Sequence, residues 1–164
     1  MALSPSPAAC RAAAQLGRTV DRALDDSELT PAAYRLLSYL STGRTAATVL
    51  AEKLAVSRPT VTATTSWLVS RGLCTKRVDP DDGRRVAIEM TNRGVQALVK
   101  ADKLVAERLV EVLDPVSTQS ADVILNSLEQ LLVALNRHRE HSHHSRYGER
   151  PNVNTSSEIR RRSL

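Results

Sequence analysis

Residues 48–73 read TVLAEKLAVSRPTVTATTSWLVSRGL. Helical spacing of the apolar residues predicts a short helix over about 47–54 and a second helix that Ser57 caps and Gly72 ends. Only the tight stretch Ala55-Val56-Ser57 separates them, and Arg58 and Pro59 are tolerated in the first turn of the second helix. This arrangement is typical of a helix-turn-helix, whose second helix enters the major groove of DNA.

The pattern changes after Gly72. Residues 73–78 and 85–90 have strand character, and the stretch DPDDG between them predicts a turn. Because this β-hairpin follows the helix pair at once, the two together predict a winged helix-turn-helix. The wing is expected to be the only sheet in an otherwise helical chain.

Helices are also predicted on both sides of this unit. Helical spacing covers about 8–25 and 92–113, Thr30-Pro31 begins a helix that runs to Gly43, and a last helix begins near Ser117. One small winged helix cannot cover the apolar stripes of the first and the last two helices, which predicts a two-fold helical dimer interface. Its candidate residues are Leu16, Val20, Leu109, Leu128, Leu131 and Leu135.

The predicted fold is therefore mainly α with a small β-hairpin wing, and it combines a winged helix-turn-helix with a helical dimerisation region. Residues 1–28 form the N-terminal dimerisation helix and residues 29–91 the DNA-binding region. Residues 92–137 form the C-terminal dimerisation helices. Residues 138–164 form a basic polar tail, whose composition predicts disorder.

Charge and composition limit the classes of partner. The net charge is +5, and from Arg137 onward there are seven arginines and three glutamates, so residues 137–164 carry +4 and the preceding body about +1. A body that binds nucleic acid must then concentrate its positive charge in one place. No apolar run is long enough to span a membrane, the N-terminus does not resemble a signal peptide, and two cysteines make no disulfide framework. The cytoplasm is the expected location.

The second helix of the pair supplies the candidate readers of DNA sequence. Val61, Trp67 and Leu68 are expected to point inward. An arginine can bind guanine O6 and N7 with two hydrogen bonds, while threonine can bond bases or phosphates and touch the thymine methyl group. The candidate DNA-binding residues of this helix are Ser57, Arg58, Thr60, Thr62 and Thr64.

The hairpin tip reads DPDDGRR over residues 79–85. An arginine at such a tip can enter the narrow, negative minor groove, and a nearby carboxylate can hold and aim its guanidinium. We predict that Arg84 inserts, that Asp82 orients it, and that Arg85 is the alternate. The other interpretation of the stretch is a solvated, charge-balanced turn.

The chain resembles the MarR family of bacterial transcription regulators over roughly residues 8–136. The resemblance rests on LTPAAYRLLSYL, on the helix pair quoted above, and on RVDPDDGRRVAIEMTNRG, in this order. It implies an obligate homodimer that binds palindromic operators on double-stranded DNA, and a repressor that a small aromatic effector releases. Ala63 departs from the family, which often has a basic residue there, so base readout is expected to fall on Arg58 and the threonines.

The histidines, the cysteines and the recognition face allow further interpretations. All four histidines lie at 138–144, so the body has no histidine for a catalytic or zinc centre, and neither an enzyme, a metal nor a cofactor is expected. Cys74 is expected to be a buried small hydrophobe. Cys10 in the first helix packs inertly or, as in redox-sensing family members, reacts near Tyr34 and Tyr39. A winged-helix protein-interaction module would instead present an apolar or acidic recognition face.

Overall fold

The computed structural model describes residues 4–78 and 86–147, and the side chains of the second stretch as far as residue 138. The chain divides into two units, Met1–Pro115 and Val116–Leu164. The described elements are α1 (Pro7–Ala23), α2 (Pro31–Leu40), β1 (Thr45–Ala46), α3 (Ala47–Lys53), α4 (Arg58–Ser70), β2 (Cys74–Val78), β3 (Val86–Met90), α5 (Asn92–Leu113) and α6 (Thr118–Tyr147). The first unit contains α1 to α5 and the sheet.

Side-chain hydroxyl groups set where several helices begin. The Thr30 side chain accepts a hydrogen bond from the Ala33 N–H at 3.2 Å, and Pro31 follows it as the first residue of α2. Such a cap satisfies one of the helix's otherwise unbonded N–H groups. Ser6, Ser57 and Thr91 cap α1, α4 and α5 in the same way. The helix starts predicted at Thr30-Pro31 and Ser57 are confirmed.

The wing is the larger part of a three-stranded antiparallel sheet of order β1-β3-β2. The pairing of β2 with β3 runs from Cys74 opposite Met90 to Val78 opposite Val86, which confirms the predicted hairpin. On the other side of β3, Thr45 pairs with Ile88 and Ala46 with Ala87. The sequence did not predict β1, because two residues are too few to show the alternation of a strand.

The core of the first unit consists of aliphatic side chains. Helix α2 lies in its middle and contacts α4, α5 and β3. The largest fully buried aliphatic side chains are Leu29, Leu36, Leu37, Leu50, Leu68, Leu73, Ile88 and Val61. Small residues on α5, among them Ala97 and Ala101, are also buried and let neighbouring elements approach closely.

The start of α5 crosses the end of the α4–β2 turn at very short distance. The Thr91 N–H donates to the Leu73 carbonyl at 3.0 Å, and the Thr91 hydroxyl donates to the Gly72 carbonyl at 2.7 Å. A Cβ atom on Gly94 would collide with the Leu73 carbonyl oxygen and would lie 2.7 Å from the Met90 side chain. Only glycine therefore fits at position 94, which explains the glycine of the stretch MTNRG.

The second unit contains α6. This helix continues to Tyr147, so the disorder predicted for residues 138–164 is wrong for 138–147. The sequence places no proline or glycine between Pro115 and Gly148, so nothing in that run stops a helix. Residues 148–164 lie outside the described part. Within the described ranges, none of the helices combines the length and the apolar character that a membrane span requires.

The close approach of the Leu73 carbonyl to Gly94 predicts that Gly94→Ala lowers the free energy of unfolding by about 1–3 kcal/mol or more, which is the usual cost of overpacking a site. Gly17→Ala is the control, because Gly17 lies within α1 with no atom near its missing Cβ. It should raise stability by roughly 0.5–1 kcal/mol. Urea denaturation of both variants at one protomer concentration tests this. Equal stability of the two variants would contradict the crossing.

Candidate nucleic-acid interface

A tight turn joins α3 to α4. The Val56 N–H donates to the Ala51 carbonyl at 3.0 Å and the Ala55 N–H to that of Glu52 at 3.1 Å, so the end of α3 is capped by backbone bonds. This geometry needs a left-handed residue, and Ala55 has φ of 53°. Glycine usually fills this position, because the left-handed conformation costs other residues about 1–2 kcal/mol. The predicted turn at Ala55-Val56-Ser57 is confirmed.

Helix α4 has one buried face and one exposed face. Val61, Thr65 and Leu68 are buried, and Trp67 packs half-buried against the same core. The predicted inward orientation of Val61 and Leu68 is therefore confirmed. The opposite face of α4 is open to solvent, as a helix that enters the major groove must be.

The predicted DNA-binding residues of α4 mostly lie on this exposed face. Ser57, Arg58, Thr60 and Thr62 are exposed, whereas Thr64 is half-buried. Across the part of the chain that the structure describes, no ion pair involves Arg58, which leaves its guanidinium available for a phosphate or a base. Contact of these residues with DNA stays a prediction.

Three hydroxyl groups at the start of α4 are engaged within the helix. The Ser57 Oγ lies 2.7 Å from the Thr60 Oγ1 and also accepts from the Thr60 N–H at 3.3 Å. The Thr62 hydroxyl donates to the Arg58 carbonyl at 3.0 Å. These bonds fix the side-chain rotamers, so the first two turns of α4 present a preformed surface.

Positive charge is concentrated in the winged helix-turn-helix. Residues 29–91 contain nine lysines and arginines and five acidic residues, which gives +4. Residues 1–28 carry three basic and four acidic residues, and residues 92–136 carry four and six, which gives −1 and −2. The near-neutral body thus has a basic region between two acidic ones, as a nucleic-acid partner requires.

Several of these cations were not singled out from the sequence. Arg71, which follows α4, lies over the Trp67 ring at 5.0 Å from guanidinium carbon to centroid. Lys53 at the end of α3 lies over the Tyr39 ring at 5.5 Å. On the wing, Arg77 pairs with Glu89 at 3.1 Å and stays exposed. The spacing of four between Trp67 and Arg71 was the available signal, because residues four apart are neighbours on a helix.

The wing is described up to the point where its tip begins. Val78 and Val86 pair directly, and both are exposed, at 64% and 48%. The next residues on each strand belong to the stretch 79–85, which lies outside the described residues. The roles predicted for Asp82, Arg84 and Arg85 fall on that stretch and stay predictions.

The predicted dimer residues differ in how much surface they offer. Leu131 and Leu135 on α6 are 50% and 42% exposed. Val20 and Leu109 are half-buried against the core of their own chain, so only part of each is available to a partner. Leu16 and Leu128 are half-buried as well. Further exposed aliphatic residues on α5 and α6 are Val99, Val110, Val112, Val123, Ile124, Leu132 and Val133.

Two polar contacts tie α2 to the long helices of the first unit. The Tyr34 hydroxyl donates to Asp102 of α5 at 2.8 Å, and Arg35 forms an ion pair with Asp21 of α1. Burial, together with the hydrogen bond to Asp102 and the charge of that carboxylate, raises the pKa of Tyr34 to about 12. Tyr34 therefore keeps its proton and its bond to Asp102 at neutral pH.

The two cysteines have opposite environments. Cys74 is buried at the start of β2, as predicted, and its burial raises the pKa of the thiol to about 11. Cys10 is exposed on α1, among small side chains that are exposed as well, so inert packing and a redox role both stay predictions.

Comparisons with known proteins found one family model and several solved structures of the same fold. Residues 27–85 match the family model described as MarR family. A search of curated proteins found no match. Among solved structures, apo MarR from E. coli superposes with a TM-score of 0.69 at 18% identity, over 80% of this chain and 99% of that one. The repressor CouR, bound to a 23-mer DNA duplex, superposes with a TM-score of 0.61 at 28% identity, over 76% of this chain and 89% of that one. BldR from Sulfolobus solfataricus superposes with a TM-score of 0.59 at 23% identity, over 77% of this chain and 90% of that one.

The burial of Cys74 predicts slow alkylation in the native protein. In a Cys10→Ser variant, iodoacetamide at pH 8 should leave Cys74 unmodified until denaturant unfolds the chain. The reason is that a thiol with a raised pKa is almost wholly protonated at this pH and also inaccessible. Mass spectrometry of labelled protein measures it, with the denatured variant as control. Rapid labelling without denaturant would show that β2 opens readily.

Proposed function

We propose that the chain is a member of the MarR family, of which residues 27–85 match the family model, and that it is a sequence-specific DNA-binding transcriptional regulator that acts as a repressor. The observation that carries the proposal is the exposed face of α4, with Arg58 near its start. The chain shares its fold, at 28% sequence identity, with a repressor whose structure was solved bound to DNA. Concentration of positive charge in residues 29–91 supports it. Such a regulator acts in the cytoplasm and needs neither a catalytic group nor a metal.

The alternative function is a winged-helix module that binds proteins. Such a module would present an apolar or acidic face on its second helix. The thirteen residues of α4 include no acidic residue, and the large apolar side chains among them lie on its inner side. The DNA-binding proposal fits this face better.

The proposed regulator is a homodimer that binds a palindromic operator. Two copies would associate through the exposed aliphatic residues of α5 and α6 and the half-buried Leu16 and Val20 of α1, because α6 alone leaves at least six such side chains 40–61% exposed. Two-fold symmetry would place the two copies of α4 about 34 Å apart, one turn of DNA. The palindrome follows from this symmetry.

The proposal includes release by a small aromatic effector, on the strength of the family resemblance. An effector can act only if it binds the released state better than the DNA-bound state. The contacts of α2 with Asp102 and Asp21 join the winged helix to α5 and α1, so a molecule that separated them would change the position of α4. A redox-sensing repressor that uses Cys10 is the second regulatory candidate, since Cys10 is exposed to oxidants.

Selection of genomic fragments by the purified protein tests the proposed function. Enriched fragments should share a two-fold symmetric motif, and fluorescence anisotropy should give a specific dissociation constant at least about 10³ below that for random DNA at physiological salt. Enrichment of no motif, with binding that depends on salt alone, would contradict the proposal.

Arg58 provides the first residue-level prediction. Arg58→Ala should weaken operator binding by about 1–3 kcal/mol and relax the preference at one base pair in each half-site. Arg58→Lys is the matched control, because lysine keeps the charge but cannot form the same two-bond contact with guanine. Binding to a panel of single-base operator variants measures both. If Arg58→Lys keeps the full preference, Arg58 contacts phosphate instead.

The wing provides the second prediction. Arg84→Ala should weaken operator binding by about 1–3 kcal/mol and reduce the slope of log affinity against log salt by about one. The reason is that the variant neutralises one phosphate fewer and so releases about one counterion fewer. Asp82→Ala should weaken operator binding less, because this variant loses the carboxylate that orients Arg84 but keeps the arginine that contacts DNA. Titrations at several salt concentrations measure both effects. Unchanged affinity in Arg84→Ala and in Arg85→Ala would show that the wing does not bind DNA.

The third prediction concerns the dimer. Leu131→Asp should yield folded monomers whose operator affinity falls at least about a hundredfold, since linked half-sites gain 10²–10⁴ in avidity. Half of the Leu131 side chain is exposed, so the single chain should tolerate the charge. Asn126→Asp, an exposed polar position of α6, is the charge control and should stay dimeric. Sedimentation and circular dichroism measure both. A folded monomer of the unmutated protein at micromolar concentration would contradict the dimer.

A further inference from the structure

The exposed face of α4 lacks most of the side chains that read bases. Across its thirteen residues, RPTVTATTSWLVS, there is no asparagine or glutamine to read adenine and no acid to read cytosine. Arg58 is its single charged residue. The exposed face, away from the buried Val61, Thr65 and Leu68, includes Pro59, Thr62, Ala63 and Ser66.

The hydrogen bond of Thr62 determines which part of its side chain is offered. Its hydroxyl proton is donated to the Arg58 carbonyl at 3.0 Å, so the hydroxyl cannot donate to a base while this bond holds. The bond also fixes χ1, since a threonine in a helix chooses its rotamer by this contact. The methyl group of Thr62 and that of Ala63 on the next residue are then two adjacent apolar groups that this face offers.

The chemistry of the groove selects a partner for these methyl groups. The C5-methyl of thymine is the one apolar group on the base edges of the major groove, and it projects from the edge. Short side chains reach a projecting group but not a recessed one. We infer that α4 recognises thymine through the methyl group of Thr62, with Ala63 beside it, while Arg58 is left to read guanine.

This inference rests on the proposed function and specifies the class of operator. Each half-site should contain a guanine and one or two thymines whose methyl groups face α4. Thr62 is then a specificity-determining residue although it offers no free donor. Removing a contacted methyl from water is worth about 0.8 kcal/mol, which corresponds to about a fourfold change in affinity for each contact.

Deoxyuridine substitution measures this contact directly. The selected operator is made as a duplex in which one thymine at a time becomes deoxyuridine, which pairs with adenine in the same way and lacks only the methyl group. Fluorescence anisotropy should show about a fourfold loss at one or two positions of each half-site. Thymines outside the contacted positions control for changes in DNA shape.

Two substitutions at Thr62 complete a double-mutant cycle. Thr62→Ser keeps the hydroxyl and removes the methyl, so it should bind the thymine operator about fourfold more weakly per half-site and lose most of its sensitivity to deoxyuridine. Thr62→Val keeps a methyl and removes the hydroxyl, so it should remain sensitive. Both changes are small and lie on the exposed face, so both variants should fold.

The outcomes separate the inference from the proposed function. If the protein selects a motif but no deoxyuridine substitution changes affinity by more than about twofold, the inference is wrong and the proposed function stands. If Thr62→Ser stays as sensitive to deoxyuridine as the unmutated protein, the assignment to Thr62 is wrong. If no DNA sequence is selected at all, the proposed function fails and the inference fails with it.

Discussion

The contact between Thr91 and the carbonyl groups of Gly72 and Leu73 fixes the geometry on which the winged helix depends. Through its N–H and its hydroxyl, Thr91 satisfies both carbonyls, and its hydroxyl oxygen accepts from the Gly94 N–H at 3.0 Å. The end of the α4 turn, the end of β3 and the first turn of α5 thus meet at one point. The missing Cβ of Gly94 lets the backbones come this close. These bonds hold the first turn of α5 against the end of the α4 turn.

A second set of contacts connects α2 to α5 and to α1. Tyr34 and Arg35 are adjacent on α2 and bind Asp102 of α5 and Asp21 of α1. The Arg35–Asp21 pair is exposed, and an ion pair of this kind contributes about 1 kcal/mol or less to stability. The Tyr34–Asp102 bond differs, because Tyr34 is half-buried and keeps its proton at neutral pH.

The sequence predicted the helices and the hairpin because their signals are local. The predicted span of α5, 92–113, is the one the structure has, since Thr91 caps its start and Asp114-Pro115 breaks it. Features that depend on distant residues were missed. The pairing of β1 with β3 needs a partner more than forty residues away. The turn at Ala55 was predicted, but the left-handed conformation of Ala55 was not, and Thr65 is buried with no hydrogen-bond partner among the described residues.

The sequence predicted which residues belong to the candidate site, but it did not predict the hydrogen bonds that their side chains make. Arg58, Thr60 and Thr62 were singled out by their place after Ser57, and the structure leaves them exposed. That the Thr62 proton is already donated to the Arg58 carbonyl depends on rotamers, which the sequence does not state. The same limit applies to Arg71, whose stacking on Trp67 directs a guanidinium that the sequence shows only as a charge.

The small side chains of α4 also fit the homodimer that we propose. One winged helix offers a single arginine, a few methyl groups and a wing, and residues 29–91 carry only +4. Contacts of about 1–3 kcal/mol each, few in number, leave one half-site weakly bound once the entropy of association is subtracted. Joining two such surfaces makes the second binding event intramolecular and raises the affinity without any new contact. The few base contacts that α4 can make call for two linked copies, and the exposed apolar surface of α6 is available to link them.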